Sequence, residues 1–172
     1  MVRRSRFVLA AAALLACAGA AADDAPARVL QPFTTDGCSK FPDRSPVGTA
    51  DWCGCCVVHD FAYWRGGTSA QRLAADEALK ACVARTTGNG ALAETMFLGV
   101  RTGGGPLLDT SFRWGYGWPY EGRYRALSAD ESARADELEK AYRDSHPTLA
   151  CPTQRPAPPP PGAASEPAAP TR

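Results

Sequence analysis

Three cysteines within four positions, Cys53, Cys55 and Cys56, run directly into Val57-Val58-His59-Asp60-Phe61-Ala62-Tyr63, and this block constrains the fold more than any other part of the chain. Apolar and cysteine positions recur at helical spacing from Asp51 to Trp64 and stop at Gly66-Gly67, so the block reads as a helix. On that helix Cys55, His59 and Tyr63 fall along one row, and Cys56 and Asp60 along the next. A helix with adjacent cysteines must be tied to two different neighbours, which fixes its rotation. Held that rigidly, it is a good platform for a positioned base.

Whether the thiols are tied depends on the compartment. Arg3, Arg4 and Arg6 precede an apolar run from Phe7 to Ala22, the pattern of a signal peptide over residues 1–22 with cleavage after Ala22. Leu14-Leu15-Ala16-Cys17 offers a second reading as a lipobox, in which Cys17 would carry lipid and anchor the chain in the cell envelope. Under either reading the protein is expected to be exported, periplasmic or secreted. Cys17 then leaves the pool, and Cys38, Cys53, Cys55, Cys56, Cys82 and Cys151 remain. Six is even and the compartment oxidises, so three disulfides are expected, with the pairing open among the many arrangements six thiols permit.

Charge narrows the partners. Removing three arginines from 19 basic residues leaves 16 against 18 acidic ones, a mature chain of about −2, which gives no footprint for nucleic acid. His59 and His146 are the two histidines in the sequence, so a three-His metal site cannot be built. Eight of the 15 prolines lie between Pro152 and Arg172, with almost no large hydrophobe, which predicts an extended, disordered, solvated tail over 152–172. The foldable domain is then 23–151, small enough for disulfides to matter to its stability.

Beyond the first helix, Thr68-x-x-Gln71 is a capping-box signature opening a second helix to about Thr86, with Gly88 as its stop. Asn89-Gly90 reads as a turn, Ala91 to Arg101 as a short apolar helix ending at Gly103-Gly104-Gly105-Pro106. Ser128-x-x-Glu131 caps a last, highly charged helix that must end near His146-Pro147. The fold class is therefore mainly α.

C-C-x-x-H-D-x-x-Y over Cys55 to Tyr63 resembles the active-site helix of the secretory phospholipases A2. Asp76-Glu77-Ala78-Leu79-Lys80-Ala81-Cys82 is similar to that family's second long helix, where an Asp stands six residues before a Cys. The animal enzymes carry a further disulfide whose two halves fall at Ala62 and Ala75 here, and its joint loss is what a correct alignment should show. Asp36-Gly37-Cys38-Ser39 with Pro42-Asp43 resembles the D-x-C-S…P-D segment of the bacterial and fungal branch. The resemblance covers about residues 36–82. It implies a small disulfide-stapled helical domain with two long antiparallel helices, calcium as cofactor, a phospholipid membrane or micelle as substrate surface, and a monomer. It implies the pairs Cys38–Cys56 and Cys55–Cys82, which leaves Cys53 with Cys151.

Carried over residue by residue, the resemblance makes His59 the base that draws a proton from water attacking an acyl ester, with sn-2 specificity inherited from the family. Asp76 would orient the far ring nitrogen, and the Tyr63 hydroxyl would donate to Asp76. Calcium would sit on the carboxylates of Asp36 and Asp60 and the carbonyl of Gly37, and a backbone amide near Ser39 would be a further oxyanion donor. Imidazole suits the part of base because it ordinarily titrates near neutral pH.

Competing readings attach to the same residues. Cys53, Cys55, Cys56 and His59 could ligate zinc, although exported thiols oxidise and adjacent cysteines rarely fit zinc spacing. Asp43 after Pro42 reads as a turn residue. Phe112, Trp114, Tyr116, Trp118 and Tyr120 alternate with Arg113, Gly115, Gly117 and Pro119, so five aromatics could share one face of an extended segment, as a lipid-interface patch, a wall of an acyl channel or a cover strand on a small core. Leu92, Met96, Phe97 and Val100 read as core, and as a possible channel lining. The functional alternative to an enzyme is a phospholipase-fold binding or structural protein of the cell envelope without turnover.

Overall fold

A computed structural model describes residues 28–151; the leader, the lipobox at Cys17 and the proline-rich tail lie outside the described residues. Four helices form there: α1 (Cys53–Arg65), α2 (Ser69–Thr87), α3 (Gly90–Gly103) and α4 (Ala129–Ser145). Among the described residues there is no strand, and Arg44 and Asp51 meet in an isolated bridge. No described helix is long and apolar enough to cross a membrane.

The helix starts follow from side chains that satisfy orphan backbone donors. Thr68–Gln71 and Ser128–Glu131 both form reciprocal capping boxes. Left-handed Gly88 closes α2. Asn89-Gly90 is no turn between helices: the Asn89 side chain accepts from Leu92 N, and Gly90 is the first residue of α3. Asp51 stands just ahead of α1, its carboxylate accepting from Cys53 N at 3.0 Å, so the helix starts two residues later than its periodicity suggests.

α1 is the central helix. Cys53, Val57, Phe61 and Trp64 pack with Leu30, Phe33, Trp118, Ala135 and Cys151, while Cys55 and Cys56 face Leu79, Val83, Ala93 and Met96. Partners on α1 and α2 run in opposite directions: Tyr63 meets Arg72, His59 meets Asp76, and Cys55 is bonded to Cys82. The two helices are therefore antiparallel, joined by Gly66, Gly67 and Thr68. The three disulfides are Cys38–Cys56, Cys53–Cys151 and Cys55–Cys82. They tie α1 to the loop before it, to the end of the domain and to α2. With all three of its cysteines in disulfides, α1 offers no thiolate for zinc.

The aromatic segment 112–120 does not form an extended strip with a shared face. It winds through turns, with Gly115 at φ 75° and Gly117 so close to Trp64 and Leu30 that a Cβ there would overlap them. The physical reason is the C-terminus of α1, whose last carbonyls need donors. Gly115 N donates to Tyr63 O at 2.6 Å, Gly117 N to Trp64 O at 3.1 Å and Trp118 Nε1 to Arg65 O at 2.7 Å. Trp114 Nε1 reaches Gly67 O at 2.8 Å. Trp114 and Trp118 are buried, Tyr120 is exposed, and Phe112 lines a cleft beside α1.

Candidate active site

His59 and Tyr63 stand one turn apart on the α2 side of α1, and Asp76, 0 % exposed, comes from α2 to meet both. Asp76 Oδ1 lies 2.8 Å from His59 Nε2 and accepts the Tyr63 hydroxyl at 2.8 Å. Oδ2 accepts from Arg101 Nη1 at 2.7 Å, with Arg72 Nε at 3.8 Å. Burial alone would raise the Asp76 carboxyl, but the bonds from His59, Arg101 and Tyr63 outweigh it and hold the group below the usual carboxylate range. An ionised Asp76 can only accept, so His59 Nε2 carries the hydrogen of their bond and Nδ1 is left as the basic nitrogen. Burial and the Asp76 charge push the Tyr63 phenol well above its ordinary value, which keeps it a donor.

Arg72, buried on α2, is tied on every side. Its Nε donates to the Tyr63 hydroxyl at 3.0 Å, Nη1 to the Tyr124 hydroxyl at 2.7 Å, and Nη2 to the carbonyls of Val100 and Arg101 at 2.6 and 2.9 Å. It thereby locks the end of α3 to the site.

His59, Asp60 and Tyr63 lie at the wall of a cleft of about 330 Å³ whose other lining includes Phe41, Leu79, Met96, Val100 and Phe112. That volume and apolar character suit the hydrocarbon part of a small ligand. Of the third-helix residues, Met96 and Val100 line the cleft, Leu92 packs against the core, and the Phe97 ring lies under Lys80. Phe112 alone of the aromatic segment reaches the cleft.

The oxygen ligands expected for a cation are divided between two cavities that meet at Asp60: Gly37 lines the cleft, and Asp36 does not. Asp36 and Asp60 both line a second cavity, about 230 Å³, which shares Ser39, Asp60 and Phe112 with the cleft. The Thr35 hydroxyl donates to Asp60 Oδ2 at 2.6 Å, and Ser39 Oγ to Asp36 Oδ1 at 2.8 Å. Burial, opposed by the Thr35 bond and reinforced by the charges of Asp36 and Asp43, pushes the Asp60 carboxyl up to about 8. A buried carboxylate facing two like charges is a place where a cation removes a penalty. Among the described residues no group of three or more His, Cys, Asp or Glu side chains is placed to hold a metal ion by itself.

Gly37 is buried at φ 82°, and a Cβ there would overlap the Asp43 carboxylate and meet Cys151 Sγ at 2.8 Å. Asp43 is more than a turn residue: Oδ1 accepts from Cys38 N at 2.9 Å and braces the loop. Ser39 is the one non-glycine at positive φ among the described residues, at 52°. A residue held there stores strain of about 1–3 kcal/mol, as loops at ligand sites often do.

Sequence reasoning missed Arg101, Arg72, Thr35 and the conformation of Ser39. The Arg72–Asp76 pair stands at i,i+4 on one helix and was visible by spacing; Arg101 and Thr35 rest on contacts 25 residues apart in the chain, and the positive φ of Ser39 is a local feature with no residue-type signal. No protein-family model, curated protein or solved structure matches the chain.

Proposed function

We propose that the protein hydrolyses an acyl ester of a phospholipid, with calcium, through a water activated by His59. The observation that carries the reading is the buried His59–Asp76 bond of 2.8 Å at the wall of an apolar cleft. An imidazole whose Nε2 is pinned to a carboxylate, beside a space suited to hydrocarbon, is a base aimed at an apolar ester.

A water in the cleft within reach of Nδ1 would give it a proton as the oxygen attacks the ester carbonyl. Asp76 stabilises the resulting imidazolium and keeps the ring from rotating, as a buried carboxylate does for other catalytic histidines. The tetrahedral intermediate then expels the alcohol oxygen of the glycerol, which takes the proton back from Nδ1. Fatty acid and lysophospholipid leave, and His59 returns to its starting state. Tyr63, one turn further along α1, donates to the same Oδ1 at 2.8 Å and so helps to hold the carboxylate in place against His59. The acyl chain would lie along Met96 and Val100.

Asp36, Asp60 and the Gly37 carbonyl supply hard oxygen donors, the kind calcium takes in preference to zinc or copper. Calcium bound there would offset negative charge on the ester carbonyl oxygen. The raised Asp60 carboxyl supports a cation at this place. Positional choice for the sn-2 ester, a monomeric state and export rest on the sequence resemblance and the leader alone.

The test is fatty-acid release from mixed phosphatidylcholine and phosphatidylglycerol vesicles by the full chain, with calcium or with EGTA, beside His59→Ala. Release that needs both calcium and His59 is expected. Wild-type release no greater than that of His59→Ala would leave the phospholipase-fold binding protein as the better reading.

A further inference from the structure

The Asp76 carboxylate has two oxygens, and His59 engages only one of them. Oδ1 of Asp76 serves His59 and Tyr63, whereas Oδ2 is equally buried and faces two arginines. Arg72 cannot serve Oδ2 closely: its Nε stands 3.8 Å away and donates to the Tyr63 hydroxyl, and its other nitrogens are engaged by Tyr124, Val100 and Arg101. Arg101 Nη1, at 2.7 Å, is the near donor to Oδ2. Arg101 comes from the last turn of α3, the helix that walls the cleft, and about a third of its side chain reaches solvent. The site is thus closed by three helices: α1 gives the base, α2 the carboxylate, and α3 the cation that holds the carboxylate's other edge.

A carboxylate can swing about its last torsion, which is broad. Two donors on Oδ1 fix a point, and a third donor on Oδ2 fixes the plane. We propose that Arg101 is a positioning residue: its pairing with Asp76 Oδ2 sets the carboxylate plane that orients the His59 ring. The proposal rests on His59 being the working base for its kinetic consequence, but its geometric content does not. The competing assignment is a purely structural tie between α3 and α2.

The experiment compares the full chain with Arg101→Met, which keeps the stem and removes the charge, and Arg101→Lys, which keeps a charge but not the planar fork. Three readouts are taken: kcat and KM on phospholipid vesicles, the Tm, and the downfield NMR resonance of the His59 Nε2 hydrogen. Arg101→Met should lower kcat by about ten- to a hundredfold with KM little changed, the magnitude typical of losing a group that orients a functional side chain. The Nε2 hydrogen resonance should broaden or vanish through faster exchange. Added guanidinium ion should restore both without raising the Tm, and Arg101→Lys should lie between the two proteins.

A kcat within twofold of wild type together with an unchanged Nε2 resonance overturns the proposal. So does a kcat that falls only in step with Tm and is not rescued by guanidinium. If Arg101→Met does not fold, Arg101→Lys at matched Tm decides, and an undiminished kcat there overturns it. If wild type itself releases no fatty acid, the hydrolysis reading fails, while the NMR comparison still decides whether Arg101 positions the ring.

Discussion

Asp60 gives the sharpest quantitative prediction, because its burial must appear as a dependence of stability on pH. Its ordinary pKa of 3.8 is pushed up to about 8 in the folded protein, chiefly by burial. Between those values the folded state holds a proton that the unfolded state has released. The sign follows: stability is present below the unfolded pKa and is lost as pH rises toward 8, at about 1.4 kcal/mol per pH unit. From pH 5 to pH 8 the loss from this one group is about 4 kcal/mol, a large share of the margin of a domain this size.

Asp60→Asn removes the titration while leaving the Thr35 hydroxyl an oxygen to donate to. In urea unfolding with EGTA, the stability of wild type relative to Asp60→Asn should fall by about 4 kcal/mol between pH 5 and pH 8. If calcium takes the ionised Asp60 carboxylate as proposed, then at pH 8 a concentration a hundredfold above its Kd should restore about 2.7 kcal/mol to wild type and nothing to Asp60→Asn. At pH 5 the ion must displace a proton and should stabilise less. A difference between the two proteins that stays flat across this range with EGTA refutes the burial argument. Equal stabilisation of both proteins by calcium refutes Asp60 as its ligand.

Three further substitutions probe the site and its frame. Tyr63→Phe leaves Arg72 Nε and Asp76 Oδ1 each one partner short in a buried place, and should lower unfolding free energy by about 1–3 kcal/mol as read by chemical denaturation; no loss would mean that water replaces the hydroxyl. Cys53→Ser with Cys151→Ser opens a loop of sequence separation 98 and should cost about 4–5 kcal/mol in the same assay. Gly99→Leu on α3 points a side chain into cleft space where a Cβ meets nothing within 4 Å, so the Tm should hold or rise while fatty-acid release drops; unchanged release would place the acyl chain elsewhere.

What the sequence discloses here and what it hides divide along chain distance. The helix starts at Thr68 and Ser128 are written locally, since a hydroxyl and a Gln or Glu three residues on can satisfy each other with no help from the rest of the fold. The orientation of α1 was also legible, because adjacent cysteines leave a helix little freedom to rotate. His59, Tyr63 and Asp76 come together for the same reason. Once Cys55 is bonded to Cys82, two antiparallel helices have one register, and that register places His59 against Asp76.

The misreadings arise where one pattern serves two geometries. Asn-Gly is a turn signal because Asn tolerates unusual backbone and bonds nearby amides, and those properties also make Asn89 a helix cap. Alternating aromatics and glycines suggest a strand only if the glycines are passive. At Gly115 and Gly117 they are the means by which the chain turns against α1, and the aromatics between them scatter to core, carbonyl and cleft. Arg101 was hidden for a related reason: an arginine in the last turn of a helix is already accounted for by the helix dipole and by solvent. Its pairing with a carboxylate 25 residues away depends on how α3 docks on α2, and that docking is fixed in turn by Arg72 holding the carbonyls of Val100 and Arg101. The His59–Asp76 pair can therefore be specified by a helix pair and a disulfide, whereas the Arg101 contact to the carboxylate's other oxygen exists only once the third helix is in place.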